Sequence, residues 1–517
     1  MIRRFMSKVA VTATATIACT VLACTVLAWA FVGQGQGDRG RPGAPDGKTS
    51  QRKTFSLVYN VNNAGYIDVC GCKHKEVRQG SITRRAAFLK QLRATNRALL
   101  LVDGGSAFFP INKSVKPTEM PEAIRKAELI VEAYNRMGYM AMAVGPYDLL
   151  GGLDALKKLA ARAKFPMLSA NLTDADGNLH FPPHTIFTVN DVRIGVFGLT
   201  LDTIPEPRLQ KWAPGSKITD PREAAEKSCA ELRPKVDLVL ALAHLREDSN
   251  FELVKSLEKL EILIDPYIQI GSHKTWLKDD DPWLQEKGST LFLRSDGQGA
   301  RLGLIDIELT KSGAALSSGD RHDELAELIE FDEATAKEKA EAAALRSKNL
   351  YRFTRVSLEP HHSTDEAIDA LIDAFKKNVS FSNVQATAAH LPNKDKYLKH
   401  GACKSCHEKQ YEWWKTTSHS HAMQSLRKNN DHQRYDCVGC HSLGYGQAWL
   451  DTTNVGDYAN VQCESCHGVE PAHTKDPKKN RFDRTTRSKC IVCHNKEQTR
   501  TDFSYLRAKR KIACPKG

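Results

Sequence analysis

The sequence predicts an α/β layered region over the first three fifths of the chain and a mainly α unit, dense in cysteine and histidine, at its end. Three observations carry this. Short β-rich runs alternate with helix-length segments between residues 55 and 309, the pattern of sheets covered by helices. Residues 321–348 are dense in Ala, Glu, Leu and Lys and read as one long helix. Cys-x-x-Cys-His then occurs four times, at Cys403/Cys406/His407, Cys437/Cys440/His441, Cys463/Cys466/His467 and Cys490/Cys493/His494.

Taken in order, Arg3, Arg4 and Lys8 precede an apolar, small-residue run over 9–32 that reads as an export signal. Ala28-Trp29-Ala30 fits a cleavage site, while the run is also long enough to cross a bilayer. Residues 1–32 are therefore a signal peptide or a membrane anchor. The residues after Cys24 stay apolar, which argues against lipidation there. Residues 33–53, rich in Gly, Gln, Arg, Asp and Pro, form a flexible linker. The α/β domain spans 54–312, with strands expected at 55–61, 98–102, 140–144, 192–199, 236–243, 291–294 and 302–309. Helices are expected near 81–95, 120–137, 152–164, 221–232 and 250–260. A helical connector over 313–396, with a second helical pattern at 365–377, leads to the motif-bearing domain at 397–517.

Cys-x-x-Cys-His is the attachment pattern of c-type haem. The two thiols add to the vinyl groups and the adjacent histidine binds the iron. Paired zinc knuckles would also use the thiolates, yet they give no reason for a histidine after every second cysteine. The expected cofactor is four covalently attached haem c groups, with His407, His441, His467 and His494 as proximal ligands. Ten of the 18 histidines lie from His390 onward. His390, His400, His419, His421, His432 and His473 remain for the second axial positions. Met423 is the only methionine of this region, so bis-histidine, low-potential haems are expected.

At 517 residues the chain is too long for one core. Its formal charge is +13, and 23 Lys and Arg against 13 Asp and Glu place most of the excess after residue 389. Haem propionates would neutralise that excess, so nucleic-acid binding is not expected. Cys70 and Cys72, followed by Lys73, His74 and Lys75, would close only a strained disulfide. A metal site, a redox thiol pair or plain loop thiols stay open for them. Cys229 reads as a buried structural residue, and Cys514 has no assigned role.

The strings GSITRRAAFLKQLR, LLLVDGG, FPMLSANL, VRIGVFGLT, DLVLALAHL and IQIGSHKTW occur in an order that resembles the 5'-nucleotidase-type calcineurin-like metallophosphoesterases. The resemblance covers about residues 55–310 and implies an α/β/β/α sandwich with a two-metal centre. The implied ligand positions are largely lost. They fall on Asn62 and Ala64, on Gly105 and Ser106, and on Gly145, Pro146, Tyr147 and Asp148. His244 and His273 match, but Lys274 and Thr275 follow where a further histidine belongs. A degenerate site without phosphoesterase activity is the expectation.

ACKSCHEKQYEWWKTTSHSHAM, DCVGCHSLGYG and VQCESCHGVEPAH resemble the multihaem family typified by the tetrahaem electron acceptor of hydroxylamine oxidoreductase. That resemblance implies His473, and His419 or His421, as distal ligands to haems other than the nearest one. The function expected is an exported tetrahaem c-type cytochrome, periplasmic or on the periplasmic face of the inner membrane. It would relay electrons between redox partner proteins, with the phosphoesterase-like domain as a docking module and membrane association through the N-terminus. The alternative is a multihaem oxidoreductase acting on a small nitrogen or sulfur species at a haem with an open axial site.

Overall fold

Alternating apolar residues let one strand serve two cores. In the Lys53–Asn60 strand, Phe55, Leu57 and Tyr59 face a second sheet while Val58 faces helices, as the two-residue period of a strand requires. The computed structural model describes residues 52–68, 80–95, 97–111, 115–117, 119–257, 260–265, 283–295, 297–377, 391, 396–449, 455–494 and 503–515. The export segment, the linker up to 51, Cys70, Cys72, His273, Lys274, Thr275 and His390 lie outside them.

Among the described residues, one sheet has seven strands in the order Leu316–Ser318, Asn349–Ser357, Arg301–Leu309, Lys53–Asn60, Leu99–Asp103, Ala141–Ala143, Met167–Leu168. The other has six, in the order Leu284–Lys287, Thr290–Arg294, Ile262–Asp265, Leu238–Ala243, Val192–Leu199, His184–Val189. Leu57, Leu100 and Val102 of the first meet Ile194, Leu238 and Leu240 of the second in a fully buried inter-sheet core. Helices Ile82–Ala94 and Met120–Met137 cover the outer face of the first sheet. Helices Pro221–Leu232 and Glu247–Ser256 cover the second. This is the α/β/β/α sandwich. The Met120–Met137 helix begins with Pro121 in its first turn and ends at Gly138 in the left-handed conformation, φ 72°, the usual asymmetry of helix ends.

Among the described residues of 313–396, the helix expected at 365–377 forms as Glu366–Lys377, while the rest differs from the expected helical connector. The segment over 321–348 is two helices, Gly319–Glu330 and Ala336–Leu345. The second starts at a capping box, in which Thr335 and Glu338 bond each other's backbone N–H groups. Asn349–Ser357 is then a strand, antiparallel to Arg301–Leu309, so the first sheet extends past the expected domain boundary. The alternation in LYRFTRVS is the local reason.

The C-terminal region consists of short helices joined by turns. Met423, Leu426, Tyr435, Val438 and Trp449 bury themselves in the same apolar cluster as Ile130 and Tyr134 of the first helix layer. Lys126 Nζ lies 3.0 Å from Asp436 Oδ2, with Lys126 only 3% exposed. Lys376 bridges Asp68 and Asp431 at 3.4 and 3.3 Å. Ion pairs this well buried are costly unless geometrically satisfied, so they fix how the helical region sits on the sandwich.

Candidate functional site

A helical turn places residues i, i+3 and i+4 on one face, so a helical Cys-x-x-Cys-His presents both thiols and the imidazole together. The second and third motifs lie within helices Tyr435–His441 and Cys463–His467. In the first and fourth, the His407 and His494 N–H groups donate to the Cys403 and Cys490 carbonyls at 2.9 Å. All four face one cavity of about 1950 Å³, lined by every motif histidine and every motif cysteine except the exposed Cys406. Pockets for ordinary small ligands are roughly 300–1,000 Å³, so this one holds more than a single such group.

Two pairs of imidazoles face each other across it. The His407 and His473 ring centroids are 6.1 Å apart with planes 20° from parallel, and those of His419 and His494 are 6.1 Å apart at 48°. Two imidazoles bound on opposite sides of one metal, with bonds of about 2.0–2.1 Å and ring nitrogens just over ~1 Å from their centroids, stand about 6 Å apart. The spacing leaves room for one metal ion between the rings of each pair, which these residues would hold. Backbone carbonyls aim the rings: His473 Nδ1 donates to Asn480 O and His441 Nδ1 to Ala422 O, both at 2.7 Å. Such a bond fixes the tautomer and leaves Nε2 for a metal. Burial pushes the His419, His467 and His494 imidazoles down, toward the neutral form that ligates.

The other histidines are placed differently. His421 lines the cavity with Nδ1 3.2 Å from Thr417 O, but among the described residues it faces no second imidazole. His400 packs against Tyr411 and Trp414. Met423 is 2% exposed inside the apolar cluster and off the cavity wall. The donor set therefore fits covalent haem. The cysteine pairs would hold each macrocycle and the histidines its iron, and the group would supply a one-electron iron couple.

Among the described residues, which leave out His273, the strand-end side chains of the sandwich are committed to its own loops rather than open to a pair of metals. Asp148 accepts four backbone N–H bonds, from Ser106 at 2.7, Gly145 at 2.9, Ala107 at 2.8 and Phe108 at 3.1 Å. Both its oxygens are committed to shaping the loop, and burial pushes the carboxyl up to about 7. His244 donates from Nδ1 to Gly104 O at 3.0 Å, and its Nε2 lies 3.4 Å from Ser106 Oγ. Burial pushes this imidazole down to about 4. Asn62, Ala64 and Ser106 have φ of 50°, 54° and 53°, so the loops keep strained backbone where the ligand side chains are gone. No group of three or more His, Cys, Asp or Glu side chains suited to a metal ion occurs among the described residues.

Sequence reasoning missed the support of these loops. Arg85 is fully buried, bonding the Tyr134 and Tyr139 hydroxyls at 3.1 and 3.0 Å and Asn63 Oδ1 at 2.8 Å. Tyr134 and Asn60 in turn donate to Asp103, at 2.7 and 2.6 Å. The only signal was an Arg84-Arg85 pair inside a helical pattern, and such pairs are usually solvated. Cys229 is buried as expected, its thiol pushed up to about 12 by burial.

Residues 402–468 match the family model described as cytochrome c554 and c-prime. This segment is thus similar to c-type cytochrome sequence, a likeness that implies covalently bound haem c. The N-terminal half is similar to 5'-nucleotidases. It is 34% identical over 175 residues to the 5'-nucleotidase of Vibrio cholerae, covering 32% of this chain and 30% of that protein. To the protein UshA of Escherichia coli it is 30% identical over 166 residues, covering 32% of this chain and 29% of that one. The chain thus spans about 30% of the length of the curated relatives it matches. Among solved structures, the 5'-nucleotidase precursor of Thermus thermophilus aligns with a TM-score of 0.47 at 20% identity, over 63% of this chain and 59% of that one. The calcineurin-like phosphoesterase YfkN of Bacillus subtilis aligns with a TM-score of 0.46 at 16% identity, over 63% and 98%.

Proposed function

We propose that the protein is an exported tetrahaem c-type cytochrome that relays electrons between redox partner proteins. Its phosphoesterase-like domain is catalytically silent and serves as the docking module on which the haem-bearing region is built. The observation that carries the reading is the convergence of four attachment motifs on one cavity, with two imidazole pairs at 6.1 Å. In this reading His473 completes the iron held by His407, and His419 completes the iron held by His494. Four macrocycles in one cavity lie close enough for electrons to pass between them without a diffusible carrier. Place of action is the periplasm or the periplasmic face of the inner membrane, where the leader sequence delivers the chain. The test is the intact mass of the exported protein, expected to carry four haems; two or fewer would refute the count and the relay built on it.

A second reading, an oxidoreductase acting on a small nitrogen or sulfur species, is favoured by His467. Among the described residues this ring faces no second imidazole, so the iron it would hold is a candidate for binding substrate. Carbon monoxide binding by the reduced wild-type protein would support that reading, and a carbon-monoxide-inert spectrum would remove it.

A further inference from the structure

The sandwich touches the helix of the second motif through a carboxyl that the relay leaves unused. Glu122, in the first turn of the Met120–Met137 helix, is 4% exposed. Its Oε2 accepts from the Tyr435 N–H at 3.4 Å, and its Oε1 is buried with no hydrogen-bond partner among the described residues. Tyr435 opens the helix that carries the second motif.

Cations nearby are already committed. Lys126 is bonded to Asp436, and Arg434 to Asp431 and Asp436 at 3.1 and 2.8 Å. Lys376 pairs with Asp431, and Lys116 with Glu119 at 3.8 Å. The Tyr445 hydroxyl, also buried with no hydrogen-bond partner among the described residues, feels the charges of Glu119, Glu122 and Asp436. Lys126 and Arg434 pull the Glu122 carboxyl down, but among the described residues neither forms an ion pair with it. Burial first, and then Asp436, push its carboxyl up to about 8. Asp436, 22% exposed on its side chain, lines the same cavity as Cys437, Cys440 and His441, which links this cluster both to solvent and to the second attachment motif.

We propose that Glu122 is a redox-linked proton site, taking one proton from solvent when the haem held by Cys437 and Cys440 gains an electron. The proposal rests on the haem reading above. A one-electron donor protein supplies the electron, iron(III) becomes iron(II), and the Glu122 carboxylate becomes a carboxylic acid, so net charge in the interface is unchanged. In a site of low dielectric an added electron and an uncompensated carboxylate repel strongly, and protonation removes the repulsion. The sandwich would then tune the cytochrome as well as hold it.

The test uses the full-length, haem-loaded chain in spectroelectrochemical titrations over a range of pH. One midpoint should fall by up to about 59 mV per pH unit around pH 8, the one-electron, one-proton slope. In Glu122→Gln, which keeps an acceptor for the Tyr435 N–H, that midpoint should be flat. If this variant fails to fold, Glu122→Asp should move the sloping window while leaving the slope. A pH-indicator dye in unbuffered solution should also count one proton per wild-type chain on reduction by reduced methyl viologen, a one-electron donor that exchanges no protons. Flat wild-type midpoints, no proton uptake, or an equal slope in Glu122→Gln would each overturn the assignment. A chain without haem by mass would instead fail at the relay reading.

Discussion

Replacing His473 with Ala tests the cavity geometry most directly. The His473 ring stands 6.1 Å from His407, and its Nδ1 is held by Asn480 O at 2.7 Å. If one iron lies between these rings, the substitution removes one axial ligand of the expected four pairs and leaves all eight thioether bonds intact. The magnitude is stoichiometric: one additional carbon monoxide bound per reduced chain, with one haem turning high-spin. The fold should lose little beyond the imidazole's hydrogen bond, about 0.5–1.5 kcal/mol. The assay is an optical carbon monoxide titration, normalised to haem by pyridine haemochrome. His419→Ala should open a second iron, held by His494, and the double variant should bind two additional molecules. His473→Met should instead keep that haem low-spin and raise its potential. Unchanged carbon monoxide stoichiometry in His473→Ala would refute the pairing.

Three further outcomes follow from the sandwich. With added manganese or zinc, the protein should hydrolyse nucleotides no faster than background, because Asp148 and His244 are committed to the loop; activity lost on replacing His244 would contradict this. His244 should make stability pH-dependent. Its folded value near 4 lies below the ordinary 6.5, so the unfolded chain binds the extra proton and stability falls as pH drops from about 6.5 through 4, by about 3 kcal/mol. Urea midpoints across that range should show the loss, and His244→Gln should flatten it. Leu57→Ala, in the inter-sheet core at 0% exposure, should cost about 2–5 kcal/mol; denaturant unfolding that shows under ~1 kcal/mol would place Leu57 outside the core.

Much of the molecule was legible because its signals are local. The helix expected at 221–232 is Pro221–Leu232, and the strand expected at 192–199 is Val192–Leu199, since apolar periodicity and a proline in the first helical turn act within a few residues. The Asn349–Ser357 strand was hidden by the Ala- and Glu-rich helices before it. Its identity as part of the first sheet depends on pairing with Arg301–Leu309, a contact that propensity does not encode.

The sequence by itself determined where the four Cys-x-x-Cys-His motifs lie, because each is complete within one helical turn. It also showed residue types other than Asp and His at most positions where the resemblance implies metal ligands. Only the tertiary structure decided which histidines face each other, that Arg85 is a buried anchor, and that His244 lies against Ser106. It alone brought Glu122 to Tyr435 across 313 residues of chain. Such pairings follow from how packed layers bring distant segments together, and a spacing rule that acts within a single turn carries no information about them.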